Sequence, residues 1–180
     1  EGALGLSVAR QIAKGPRKGL IVLSEDEGCL RAAIELGADV AVNPARVAIL
    51  RDKRMMLLPG EFDILRHTGG YGCDVFVNTS PAEKNVALGL ELLSGTGRYV
   101  ECAVSGGWTF ADWSLVSAQK ELTVLGVKRG AGDLGAAIAS LAEDGALLNA
   151  LRFTEYGREN WRKAFEEPLG ATEKRLLRIG

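Results

Sequence analysis

Short β-branched runs recur between stretches of helical periodicity, and that alternation leaves few folds open to the chain. Leu20-Ile21-Val22-Leu23, Val40-Ala41-Val42, Asp74-Val75-Phe76-Val77, Arg98-Tyr99-Val100-Glu101-Cys102 and Thr123-Val124-Leu125-Gly126-Val127 read as strands. Apolar runs this continuous suit parallel sheets covered on both faces, whose neighbouring strands are joined by crossovers that are usually helices. The sequence predicts those helices over residues 6–14, 27–36, 81–93 and 133–142. Gly15-Pro16 ends the first, Gly37 caps the second, and Pro81 suits a first helical turn, where no amide hydrogen is needed. Beyond Gly145 the pattern changes to a strand at 151–153, a helix around 161–167 and a last strand at 175–179.

The glycines of Gly2-Ala3-Leu4-Gly5, directly before the first helical run, read as the second half of a G-x-G-x-x-G turn whose first glycine and preceding strand are missing. In such a turn the backbone approaches a pyrophosphate, and the free N–H groups and dipole of the helix N-terminus hold the anion. The expected fold is therefore α/β: a Rossmann-type doubly wound parallel sheet lacking its first strand, βαβαβ twice over. An ordinary tight helix start also accommodates the same glycines, so the strand ends carry the rest of the argument.

Ligands of open parallel sheets bind at the carboxyl ends of the strands. After the first predicted strand come Ser24-Glu25-Asp26, where an acidic residue commonly meets the adenosine ribose; Ser24 stands in that residue's place. Glu25 and Asp26 would repel a 2′-phosphate, which favours NAD and leaves NADP possible. The same residues also read as a solvated helix start with a capping side chain. Asn78-Thr79-Ser80 lies either along a cofactor or at a helix cap, and Ala103-Val104-Ser105 offers backbone groups to a nicotinamide carboxamide. Val127-Lys128-Arg129 follows the fifth strand, its two cations facing either a phosphate or water.

A net charge of −1 gives no reason to expect nucleic acid or an anionic membrane as partner. With no run long enough to span a bilayer and no leader-like beginning, the chain is expected to be soluble and cytoplasmic. Cys29, Cys73 and Cys102 lack C-x-x-C spacing, and His67 is the one imidazole, so neither a metal centre nor a thiol nucleophile is expected here.

Taken in order, Gly2-Ala3-Leu4-Gly5, residues 32–39 with Asn43-Pro44, residues 68–75 and Lys120-Glu121-Leu122-Thr123-Val124-Leu125-Gly126 resemble the cofactor-binding half of the medium-chain, zinc-dependent alcohol and polyol dehydrogenases. Gly70-Tyr71-Gly72-Cys73-Asp74 and Ala111-Asp112-Trp113-Ser114 look most similar to the sorbitol, threitol and erythritol dehydrogenases of that family. The resemblance implies hydride transfer between a secondary alcohol or polyol and NAD(P), with zinc polarising the alcohol. It assigns Gly2, Leu4 and Gly5 to the pyrophosphate, Ser24 and Glu25 to the adenosine ribose, Thr79 to the length of the cofactor, Ala103 and Val104 to the nicotinamide, and Val127 beside it. No catalytic or metal-binding residue is carried over, because the family places those mostly in a preceding domain. Residues 1–145 would then be an N-terminally truncated cofactor domain, and 146–180 a return segment that packs on the absent catalytic domain. The chain alone would be inactive. The resemblance also implies pairing of two copies along the edge strand at 123–127. The stretch 45–66 is longer than the family has there, and Cys29 stands where relatives often carry a basic residue. A non-catalytic nucleotide-binding or structural module acting through a partner is the alternative.

Overall fold

The computed structural model describes residues 2–44, 64, 66–104, 107–127 and 134–179. They gather into two compact units, Glu1–Asn43 with Leu134–Gly180, and Pro44–Asp133. All the strands expected from the sequence form, and all pair in parallel.

The first unit begins with α1 (Gly2–Lys14), β1 (Ile21–Leu23), α2 (Glu27–Glu35) and β2 (Val40–Val42). Leu6 and Ala9, one turn apart on α1, are buried with Leu20 and with Ala32, Ala33 and Leu36 of the following segment. The Asp26 carboxylate caps α2 by accepting the Cys29 N–H at 2.7 Å. At the other end Gly37 turns left-handed, φ +102°, so that its N–H reaches Ile34 O and the Ala38 N–H reaches Ala33 O. That pair of bonds is the glycine-dependent stop the sequence predicts. β1 and β2 run side by side, Ile21 opposite Val40.

Residues 134–179 add α4 (Leu134–Glu143), a short α5 (Ala146–Ala150) that the sequence reading did not anticipate, β6 (Arg152–Gly157), α6 (Trp161–Glu166) and β7 (Glu173–Arg178). Leu147 of α5 joins the core around Leu6. Asp144, between α4 and α5, accepts from Arg10 Nε at 2.6 Å and lies 3.0 Å from Lys14 Nζ, fastening this segment to α1. β6 and β7 form a separate parallel pair.

The second unit holds β3 (Cys73–Asn78), α3 (Lys84–Leu92), β4 (Leu93–Glu101), a π-helical turn (Leu115–Gln119) and β5 (Thr123–Gly126), its strands ordered β3-β4-β5. The helix expected from residue 81 starts at Lys84 instead. The Asn78 side chain accepts the Ser80 N–H at 3.2 Å, a local turn that competes with helix and pushes its start downstream. β4 begins earlier than expected, at Leu93: Cys73 pairs with Leu93, Val75 with Arg98, and the glycine-rich residues between form a bulge. Thr96, at φ 62°, takes the left-handed position in it. Lys120 Nζ donates to the carbonyls of Leu90, Glu91 and Leu93, capping the C-terminus of α3. Leu90, Leu93, Tyr99 and Val116 form this unit's core.

Among the described residues β1 pairs only with β2, and β3 only with β4. Most of the 45–66 stretch, Ser105, Lys128 and Arg129 lie outside the described residues. No helix among the described residues is long and apolar enough to cross a membrane.

Candidate functional site

The first unit places its assigned residues at the start of α1 and the end of β1. α1 starts at Gly2, at φ +69°, with no acidic side chain in its first turn, so its N–H groups face no carboxylate of their own helix. Leu4 is exposed and Gly5 half-buried on the first turn. Ser24 is buried, and its hydroxyl is engaged within the turn: it accepts the Asp26 N–H at 3.1 Å and bonds the Cys29 thiol. Glu25 beside it is exposed.

The second unit contains the more developed site. Alternation along β4 sets Tyr99, Glu101 and Ala103 on one face. The Glu101 carboxylate gathers three donors. Asn78 Nδ2 lies 3.1 Å and 3.0 Å from its two oxygens, the Tyr99 hydroxyl donates to Oε2 at 2.8 Å, and the Ala103 N–H donates to Oε1 at 2.9 Å. Backbone bonds tie the same strand ends together: Cys102 N–H to Asn78 O and Val127 N–H to Glu101 O, each 2.9 Å. Burial first, then the Glu101 hydrogen bond and charge, push the Tyr99 phenol above its ordinary value, so it remains a donor at neutral pH. A pocket of ≈ 250 Å³ opens beside this cluster, lined among others by Asn78, Ser80, Glu101, Ala103 and Trp113.

This geometry refines what the backbone at 103–104 offers. The Ala103 N–H is committed to Glu101, and the Val127 N–H to the Glu101 carbonyl. Among the described residues the Ala103 carbonyl and the Val104 N–H take no backbone partner, and Val104 is exposed. Thr79 is half-buried between Asn78 and Ser80, both buried.

The sequence places Tyr99 and Glu101 in a strand and gives them no further role. The signal lies in the strand: a carboxylate at the carboxyl end of a central parallel strand must find donors, and period-two alternation names Tyr99 and Ala103 as its companions. The three thiols are unsuited to nucleophilic work, since burial raises the pKa of Cys29, Cys73 and Cys102. Among the described residues no three histidine, cysteine or acidic side chains gather as a metal site. The donor set needed for zinc is not present among them.

Residues 3–143 match the family described as zinc-binding dehydrogenase. Over 147 residues the chain is 37% identical to an erythritol/L-threitol dehydrogenase of Mycolicibacterium smegmatis, the match covering 81% of this chain and 37% of the relative. A sorbitol dehydrogenase of Halalkalibacterium halodurans is 29% identical over 167 residues, 91% of this chain and 45% of the relative. The chain thus spans less than half the length of these curated relatives. Among solved structures, a short chain alcohol dehydrogenase from E. coli CFT073 complexed with NADH superposes with a TM-score of 0.77 at 18% identity, covering 99% of this chain and 50% of that one. At that identity the likeness concerns the fold, and the fold is the α/β arrangement of parallel strands expected from the sequence.

Proposed function

The chain belongs to the zinc-binding dehydrogenase family, and from that premise we propose that it is the cofactor-binding part of an oxidoreductase that moves a hydride between a secondary alcohol or polyol and NAD(P). The observation that carries the reading is the convergence of the ends of β3, β4 and β5 on one cluster, with the Ala103 carbonyl and Val104 N–H left for a carboxamide. When bound, the nicotinamide supplies the hydride chemistry. This chain's residues bind and orient it. The glycine start of α1, at Gly2, Leu4 and Gly5, offers backbone N–H groups to a pyrophosphate. Glu25 is the acid suited to ribose hydroxyls, with Ser24 fixing the turn that carries it. Thr79 lies along the cofactor, and Val127 flanks the nicotinamide. Exposed acids at Glu25 and Asp26 support NAD over NADP.

A polyol is the proposed substrate class, in keeping with the erythritol/L-threitol and sorbitol dehydrogenases named above. Zinc and the proton relay belong in this proposal to a catalytic domain outside residues 1–180, which leaves 1–145 as cofactor domain and 146–180 as the segment that packs on it. Exposed Phe165, Leu176 and Ile179 support that role for the segment, and exposed Val124 and Leu125 support pairing of copies along β5. A cytoplasmic location fits the same reading. The test is titration with NADH, followed by enhancement of its fluorescence, with S-adenosylmethionine as the competing nucleotide. Saturable NADH binding is expected; binding of S-adenosylmethionine with no NADH response would overturn the reading.

A further inference from the structure

We infer that Glu101 is a positioning residue for the nicotinamide end of the cofactor, acting through the backbone at Ala103 and Val104; the inference rests on the proposed cofactor reading. Glu101 does not have to touch the ligand to do this. Its carboxylate holds the Ala103 N–H at 2.9 Å, and Asn78 and Tyr99 hold the carboxylate in turn. Its carbonyl receives the Val127 N–H and its carboxylate the Asn78 amide, so residue 101, the last of β4, is bonded to the chain at the ends of both neighbouring strands. With the Ala103 N–H fixed inward, a carboxamide meets a defined pair of groups: the Ala103 carbonyl as acceptor and the Val104 N–H as donor. An amide has the complementary donor and acceptor, whereas a ketone in its place has only the acceptor. Glu101 therefore sets the selectivity of the site for the carboxamide, leaving the rest of the dinucleotide to other residues.

Removing the carboxylate releases the turn and leaves the Ala103 N–H, Asn78 Nδ2 and the Tyr99 hydroxyl without their acceptor. Glutamine retains the essential geometry, because its Oε1 can accept from Ala103 and Asn78 while its amide donates to the Tyr99 oxygen, a hydroxyl that accepts as readily as it donates. The experiment measures dissociation constants of NADH and of ADP-ribose, which lacks the nicotinamide, on the full chain and on Glu101→Leu and Glu101→Gln. The expected result is NADH binding about tenfold weaker in Glu101→Leu, the size of one lost hydrogen bond, with ADP-ribose unchanged and NADH restored to within about threefold by Glu101→Gln. Equal weakening of both ligands would make Glu101 a merely structural residue and overturn the inference, as would unchanged NADH binding. If Glu101→Leu loses its far-UV circular dichroism, Tyr99→Phe carries the same test through the loss of a single donor. Its expected signature is about threefold weaker NADH with ADP-ribose unaffected, and absence of that difference overturns the inference. A wild-type chain that binds neither ligand refutes the cofactor reading itself, an outcome distinguishable from all the others.

Discussion

Gly89→Ala sets helix propensity against packing, and the structure decides between them. Gly89 lies within α3, where alanine is favoured over glycine by about 1 kcal/mol. A Cβ added there would stand 2.6 Å from both Cδ1 and Cε1 of Phe76 and 2.8 Å from Cε2 of Tyr99. Carbon pairs are comfortable only from about 3.5 Å, so two ring edges must retreat by close to an ångström. They have little freedom to do so: the rings stack on each other at 5.7 Å between centroids and 14° between planes, and Tyr99 is buried and hydrogen-bonded to Glu101. Overpacking of this kind costs about 1–3 kcal/mol, more than the propensity gain. The net is a destabilisation of roughly 1 kcal/mol, or a fall in urea midpoint of about 0.5 M at an ordinary denaturant slope. Urea titration by far-UV circular dichroism measures it. Gly126→Ala, where the added Cβ meets nothing within 4 Å, is the control and should change little. A midpoint for Gly89→Ala equal to or above wild type would refute the packing argument.

Two further outcomes concern the charges that fasten each unit. Hydrogen bonds from Arg10 and then Lys14 hold the Asp144 carboxyl well below its ordinary value, so the folded state resists a proton that the unfolded chain accepts. The stability this contributes is complete above the ordinary carboxylate range and is lost as pH falls towards the folded-state value. The gap in urea midpoint between wild type and Asp144→Asn should therefore be widest near neutrality and close in acid; a gap independent of pH would contradict the assignment. Lys120→Met removes the ammonium that caps three carbonyls at the end of α3. Water can reach part of that site, so the expected loss is about 1–2 kcal/mol by chemical denaturation, and a neutral substitution would show the cap to be dispensable.

The skeleton of the fold was legible in the sequence because it rests on local signals. Continuous apolar runs such as Leu20-Ile21-Val22-Leu23 announced parallel strands, and Gly37 announced a left-handed helix stop. What escaped notice depended on side chains reaching across the chain. The late start of α3 follows from Asn78 bonding the Ser80 amide, and the early start of β4 from a bulge with Thr96 in a conformation that non-glycine residues seldom adopt. The glycine start of α1 and the strand-end residues were legible as candidates. The Glu101 cluster is not, because its donors come from Asn78 on a different strand and from the turn at Ala103, which the local pattern does not bring together. Ser24 carries a second local role that its sequence position does not announce: its hydroxyl accepts the Asp26 N–H within the turn.

The pairing of β1 with β2 alone, and of β3 with β4 alone, has a bearing on how the molecule behaves among other chains. Along the far side of each strand runs a row of peptide groups to which no described strand bonds. Side-chain interfaces choose partners by shape and charge, but a peptide row accepts any extended segment of suitable length. For those two edges the selection of a companion is a matter of local concentration, so a covalently tethered strand has the advantage over any diffusing one.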